Sequence, residues 1–142
     1  MVGYRIMLVK DVMTKNVITI DSNQTILDAY KKYRDNKVGS LVVTDKDKCI
    51  GIVTERDLIE KAIDKDLKTT LIKEIMTSNI KTISPSDDLD TASELMERFK
   101  IKKLPVLYND NITGIITIND IVHTRPELTK RYIETWIKAR WK

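Results

Sequence analysis

The chain of 142 residues has one cysteine, Cys49, and one histidine, His123. A lone cysteine cannot close an intramolecular disulfide, and its place in a strand-like pattern suggests a buried thiol. Without a disulfide framework, the default expectation is a cytoplasmic protein. One His and one Cys far apart in sequence, with no third partner suggested, give little basis for catalysis, so no catalytic residues are assigned. Cys/His metal spacings, a Walker A loop and G-x-G-x-x-G are all missing, and neither a metal nor a cofactor is expected. No apolar run is long enough to cross a bilayer, which excludes a transmembrane segment. Met1–Met7 lacks the apolar core and small-residue cleavage site of a signal peptide. With four glycines and three prolines, nothing is low-complexity.

What is present is ordinary: 42% hydrophobic and 32% charged residues suit a soluble globular protein with one respectable core or two small ones. Charge is uneven. Thr124–Lys142 carries six basic residues (Arg125, Lys130, Arg131, Lys138, Arg140 and Lys142) against Glu127 and Glu134, which is the protein's whole net charge of +4. Pro126 suits a first helical turn. Leu128, Tyr132, Ile133, Trp136, Ile137 and Ala139 then share one half of a helical wheel, so residues 125–142 are expected to form a basic amphipathic helix. Its first reading is a helix covering apolar surface within the chain or in a dimer. The rival is a helix that lies on a membrane surface, binds nucleic acid or docks a partner.

The rest of the chain says one thing twice. Lys10–Ile59 superposes without a gap on Lys73–Val122, sixty-three residues later, with fifteen of fifty positions identical. Among them are Met13/Met76, Thr14/Thr77, Ala29/Ala92, Lys37/Lys100, Gly51/Gly114, Thr54/Thr117 and Asp57/Asp120. Two units are too few for a solenoid, so a pseudo-symmetric pair is the natural reading.

Each repeat reads β-α-β-β-α. A short apolar run (Val17–Ile20; Ile80–Ile83) leads through a polar turn to an N-cap, Thr25 or Asp88. Helices follow near Ile26–Asn36 and Leu89–Lys100. Ile26, Ala29, Tyr30 and Tyr33 share one face, as do Leu89, Ala92, Met96 and Phe99. The shared alanine suggests close backbone approach. Asp87, Asp88 and Asp90 fit a helix N-terminus better than a cation site. Strand pairs Leu41–Thr44 with Cys49–Val53 and Leu104–Tyr108 with Ile112–Ile116 are joined by hairpin-like links. Gly51 and Gly114 mark a bulge or a close approach. A short helix starts after Thr54 or Thr117, and Glu60–Leu71 reads as a charged helical connector.

Thr54-x-x-Asp57 and Thr117-x-x-Asp120 admit two readings. At a strand-to-helix junction, free N–H groups favour an anion, the Thr hydroxyl adds a donor, and the carboxylate could hold a ribose diol. Arg56 could pair with phosphate oxygens. The same pattern is also a capping box that merely starts a helix. For one isolated copy the capping box is the first reading; two copies at the same place in a recognised fold would reverse that, and one motif could serve both ends.

Val12-Met13-Thr14, Val17-Ile18-Thr19-Ile20, Gly51-Ile52-Val53-Thr54 and Asp57, with Ile75-Met76-Thr77, Leu104-Pro105-Val106, Gly114-Ile115-Ile116-Thr117 and Asp120, resemble the CBS domain, named after cystathionine β-synthase. The resemblance covers roughly residues 7 to 124. It implies an α+β fold of two CBS repeats, 7–65 and 66–124, packed through their sheets with pseudo-two-fold symmetry, followed by the helix 125–142. It further implies clefts for an adenosine-containing ligand, a homodimer, and a regulatory, energy-sensing role without catalysis. AMP is the first choice, then ADP or ATP, with S-adenosylmethionine as the alternative. Adenine would lie against Thr19, Ile20, Gly39, Ser40, Leu41 and Val42 in repeat one, and Thr82, Ile83, Lys102, Lys103, Leu104 and Pro105 in repeat two. Thr54, Arg56 and Asp57, or Thr117, Asn119 and Asp120, would meet ribose and phosphate. Asn119 replaces Arg56 in the second copy, so the cleft carrying Arg56 is expected to bind more tightly. A regulated partner protein, not identifiable from sequence, would read the change. Nucleic acid is a second-rank partner.

Overall fold

The computed structural model describes residues 6–130, 133 and 134. Its mixed α and β elements fall into two compact units: Asn16–Ile80, and Met1–Lys15 together with Lys81–Lys142. Sequence repeats and packing units are therefore out of step. Met13-Thr14 opens the first repeat in sequence but packs in the unit of the second, while Met76-Thr77 opens the second and packs with the first.

In the unit 16–80, β1 (Thr19–Asp21) lies parallel to β2 (Ser40–Asp45), which pairs antiparallel with β3 (Lys48–Thr54). Helix α2 (Ile26–Asn36) connects β1 to β2. Thr25 caps it as expected: its hydroxyl accepts from the Asp28 N–H, and the Asp28 carboxylate accepts from the Thr25 N–H at 2.9 Å. The helix ends at Lys37 in the left-handed region, φ 51°. The β2–β3 hairpin turns on Lys46 and Asp47, both at positive φ, followed by a register shift beside Val43 and Thr44. The core joins Ile20, Ile26, Ala29, Leu41, Val43, Val53, Leu58, Ala62, Ile72 and Ile75. Ala29 is fully buried, as a close approach requires, whereas Tyr30 is 40% exposed.

The second unit repeats this plan around α4 (Leu89–Phe99), β4 (Lys103–Tyr108), β5 (Asn111–Thr117) and α5 (Ile118–Thr124), with Asp88 as the α4 N-cap. Helix α1 (Val9–Val12) buries Val9 in a core with Ile83, Leu89, Ala92, Met96, Leu104, Val106, Ile116 and Ile121. Two sequence expectations need correcting. The strand expected over Ile80–Ile83 shrinks to a single bridge between Ile83 and Val106. In the first unit the Val42 N–H donates to the Ile18 carbonyl at 3.1 Å. Its counterpart is Pro105, which has no N–H to give. Nor is the connector helical: α3 (Glu55–Glu60) stops, and turns follow. There the Asp66 carboxylate accepts the N–H groups of Lys68 and Thr69, an alternative to helical pairing. Cys49 is half-buried. Of the C-terminal helix, the described part is a 3-10 turn, Pro126–Leu128, with Thr129, Lys130, Ile133 and Glu134; the rest lies outside the described residues.

Candidate functional site

Strand β3 runs directly into α3, and β5 into α5, so Thr54 and Thr117 each end a strand and cap a helix. The two junctions share one geometry. The Asp57 carboxylate accepts the Thr54 N–H at 3.0 Å, and the Asp57 N–H donates back to the Thr54 hydroxyl oxygen at 3.2 Å. Asp120 accepts the Thr117 N–H at 2.9 Å and returns its own N–H at 3.2 Å. Both pairs therefore close a capping box.

Beyond the box the carboxylates differ. Asp57 is buried, accepts the Thr77 hydroxyl at 3.2 Å, and faces the Lys61 ammonium at 3.0 Å. At the same offset of sixty-three residues, carried two positions past the superposed stretch, Thr14 and Thr124 occupy the places of Thr77 and Lys61. Neither reaches the Asp120 carboxylate, and Thr124 instead donates to the Asp120 backbone carbonyl. Among the described residues, Asp120 keeps one carboxylate oxygen, Oδ1, without a hydrogen bond. Lys61 and Thr77 were not legible as site residues. The one signal was the repeated Met-Thr pair, and nothing in its spacing pointed to Asp57.

Arg56 projects into solvent and pairs with Glu60 at 3.0 Å; Asn119 is also exposed. Thr19 is half-buried, and its carbonyl accepts from the Lys32 ammonium at 2.6 Å. Ile20 and Leu41 are core residues, as are Ile83 and Leu104. Gly39 offers its carbonyl to the Glu55 N–H, and Lys102 offers its own to the Ile118 N–H. Ser40 and Lys103 begin β2 and β4, Pro105 is buried within β4, and Thr82 is exposed. Each unit thus gathers its strand start and its Thr/Asp pair at one end of the β2–β3 or β4–β5 ladder, where Ser40 faces Thr54 and Lys103 faces Thr117.

Tyr33 was missed as a support. Its hydroxyl donates to the Val53 carbonyl at 2.6 Å, one residue before Thr54. Burial, then the Glu55 and Asp57 carboxylates, push the phenol far above its usual range, so it stays a donor. Burial likewise raises the Cys49 thiol, which argues against a nucleophilic thiolate. His123 sits exposed in the last turn of α5. Among the described residues, no group of three or more His, Cys, Asp or Glu could hold a metal ion, and no helix is long and apolar enough to cross a membrane.

Comparison with known proteins gives this architecture relatives. The chain is 42% identical over 118 residues to a homoserine O-acetyltransferase of Methanobrevibacter ruminantium, a match covering 82% of this chain but 24% of that protein. It is 32% identical over 115 residues to the CBS domain-containing protein YhcV of Bacillus subtilis, covering 80% and 81% of the two chains. Among solved structures, it resembles the CBS domain pair of protein MJ0100 in complex with 5′-methylthioadenosine and S-adenosyl-L-methionine. There the TM-score is 0.76 at 33% identity, covering 87% of this chain and 98% of that one. The CBS domain family itself matches twice, over residues 9–64 and 72–127, and the chain belongs to it as a tandem pair.

Proposed function

We propose that this CBS pair is a non-catalytic regulatory module that binds an adenine nucleotide, AMP first and ADP or ATP after it, and passes the change to a partner protein. One observation carries the reading: the same Thr/Asp box stands at the same strand-to-helix junction in both units. A capping box needs only to start a helix. Its duplication beside matching strand starts suits a ribose and phosphate taken by a hydroxyl, N–H groups and a carboxylate.

The unequal carboxylates rank the sites. Asp57 would have to give up Lys61 or Thr77 to accept a ribose diol, whereas Asp120 has a free acceptor oxygen. The Arg56–Glu60 pair is solvent-exposed and therefore weak, so Arg56 can still turn to a phosphate. We infer that the Asp120 site fills first, against the sequence expectation that favoured Arg56. A second reading, S-adenosylmethionine, is favoured by the related domain pair that holds it together with 5′-methylthioadenosine.

Titration calorimetry with AMP, ATP, S-adenosylmethionine and NADH tests both readings. The expected result is saturable AMP binding, lost in an Asp57→Asn/Asp120→Asn double variant and weakened more by Asp120→Asn than by Asp57→Asn. Binding that survives the double variant would remove these carboxylates from the site. Absence of heat with every adenosine compound would remove the ligand class.

A further inference from the structure

The two Thr/Asp junctions differ most in one cation. Asp57 has no carboxylate oxygen to spare. Its Oδ1 faces the Lys61 ammonium at 3.0 Å and accepts the Thr77 hydroxyl at 3.2 Å. Its Oδ2 accepts the Thr54 N–H at 3.0 Å and the Thr54 hydroxyl at 3.2 Å. A diol that comes to this carboxylate must displace a partner, and the partner able to leave is Lys61. Thr77 is fixed by its two backbone hydrogen bonds with Ile52. The Lys61 side chain is 45% exposed and, among the described residues, pairs with no other carboxylate.

The cost of that departure depends on the ligand. The Asp57 side chain is 9% exposed, and a buried carboxylate stripped of its cation keeps only neutral donors. Leaving such a charge uncompensated is the expensive part of breaking a buried pair. A nucleoside brings two hydroxyls and nothing for the displaced ammonium. A nucleotide brings its own anion, and its phosphate takes up the Lys61 ammonium, with the Arg56 guanidinium, in charge-assisted hydrogen bonds. In one case the ammonium stays in the site; in the other it is lost to water.

The second repeat is the internal control. Thr124 stands at the place of Lys61, and its hydroxyl donates to the Asp120 backbone carbonyl, not to the carboxylate. Among the described residues the Asp120 carboxylate forms no ion pair, and its Oδ1 accepts no hydrogen bond. Lys103 opens β4 opposite Thr117, with Lys102 before it. These cations make a phosphate welcome at the second junction but do not occupy its carboxylate, so they leave the phosphate unnecessary. We propose that Lys61 is a charge gate: the Asp57 site admits adenosine compounds that carry a phosphate, and the Asp120 site admits them with or without one. The inference rests on the nucleotide reading above and deepens it, making Lys61 the residue that sets the ligand class of the first site.

Titration calorimetry of AMP and adenosine on single-site chains tests it. In the Asp120→Asn chain, where the Asp57 site remains, AMP is expected to bind at least about 10-fold more tightly than adenosine. Adding Lys61→Met should tighten adenosine and weaken AMP, bringing their dissociation constants together, whereas Lys61→Arg should keep them apart. In the Asp57→Asn chain both compounds should bind, and Lys61→Met should change neither. Damage to the fold moves both ligands alike, so the ratio separates a gate from a structural lysine. A ratio in the Asp120→Asn chain that Lys61→Met leaves unmoved would overturn the gate and leave the nucleotide reading standing. So would adenosine as tight as AMP at the Asp57 site, adenosine refused by the Asp57→Asn chain, or AMP bound by wild type but not by the Asp120→Asn chain. A wild-type chain that binds neither compound would overturn both.

Discussion

Two glycines show how far a single hydrogen can decide this fold. At Gly51 an added Cβ would lie 2.7 Å from the Thr77 carbonyl oxygen and 2.9 Å from the Met76 sulfur. Ile52 and Thr77 exchange both backbone hydrogen bonds there, at 3.0 and 2.9 Å, so the carbonyl cannot retreat without breaking a ladder. At Gly114 the closest atoms are the sulfur and Cγ of Met13, at 2.5 and 2.9 Å, with the Thr14 carbonyl oxygen at 3.0 Å. Both carbonyls are paired, the Thr14 one with the Ile115 N–H, but that one stands at 3.0 Å where the Thr77 one stands at 2.7 Å. The closest atom at Gly114 is a sulfur in a flexible side chain, which can move. Gly51→Ala is therefore expected to cost about 2–3 kcal/mol and Gly114→Ala about 1 kcal/mol, read as the difference in urea midpoint at constant slope. Equal costs would mean that the backbone yields at both places. Sequence alone named these two positions as a bulge or a close approach. It could not choose, because what approaches comes from the leading segment of the other repeat.

Among the elements, the caps were the most legible part. Thr25 and Asp88 stand where a side-chain oxygen must meet orphan N–H groups, and both do so. The Thr25 N–H and hydroxyl hold the Asp28 carboxyl below its ordinary value, and the Thr91 N–H does the same for Asp88. Both groups therefore bind protons less readily folded than unfolded, and unfolding takes protons up. Their stabilisation is complete above the unfolded carboxylate value and fades as pH falls through the lower folded one, below about pH 4. Asp28→Asn should lower stability by about 1 kcal/mol at pH 7 and by less at pH 3, measured by urea unfolding at each pH. A deficit that is the same at both would assign the loss to packing and not to charge. Elements without such local chemistry were less legible. The apolar run Ile80–Ile83 reads as a strand until Pro105, on its would-be neighbour, withholds the pairing N–H. The connector's charged residues suit a helix by composition, but Asp66 turns the backbone onto its own side chain. The candidate site lies between these cases. Thr54/Asp57 and Thr117/Asp120 were legible as pairs, while the Lys61 and Thr77 contacts to Asp57 come from outside the motif and left no trace in its spacing.

At the scale of the molecule, the repeat in sequence is not the repeat that folds. A gapless offset says that two segments are alike, but not which copy of the leading Val-Met-Thr or Ile-Met-Thr segment completes which sheet. The structure assigns Leu8–Thr14 to the unit of β4 and β5, where Val9 is fully buried, Val12 and Met13 pack on the core, and Thr14 exchanges two 2.9 Å backbone bonds with Ile115. Residues 72–77 complete the unit of β2 and β3 in the same way, through Ile72, Ile75 and the Thr77–Ile52 pair. The consequence is testable far from the altered residue in sequence. Val9→Ala removes two buried methyl groups and should cost about 2 kcal/mol. In native-state hydrogen exchange the loss of protection should appear in the amides of Leu104–Ile116, about a hundred residues downstream. The amides of Leu41–Val53, which follow Val9 more closely in sequence, should keep theirs. Ile72→Ala should give the reverse, loosening Leu41–Val53 and sparing Leu104–Ile116. If Val9→Ala instead loosened Leu41–Val53 first, each repeat would be completed by its own leading segment, and the exchanged pairing at Gly51 and Gly114 would be wrong.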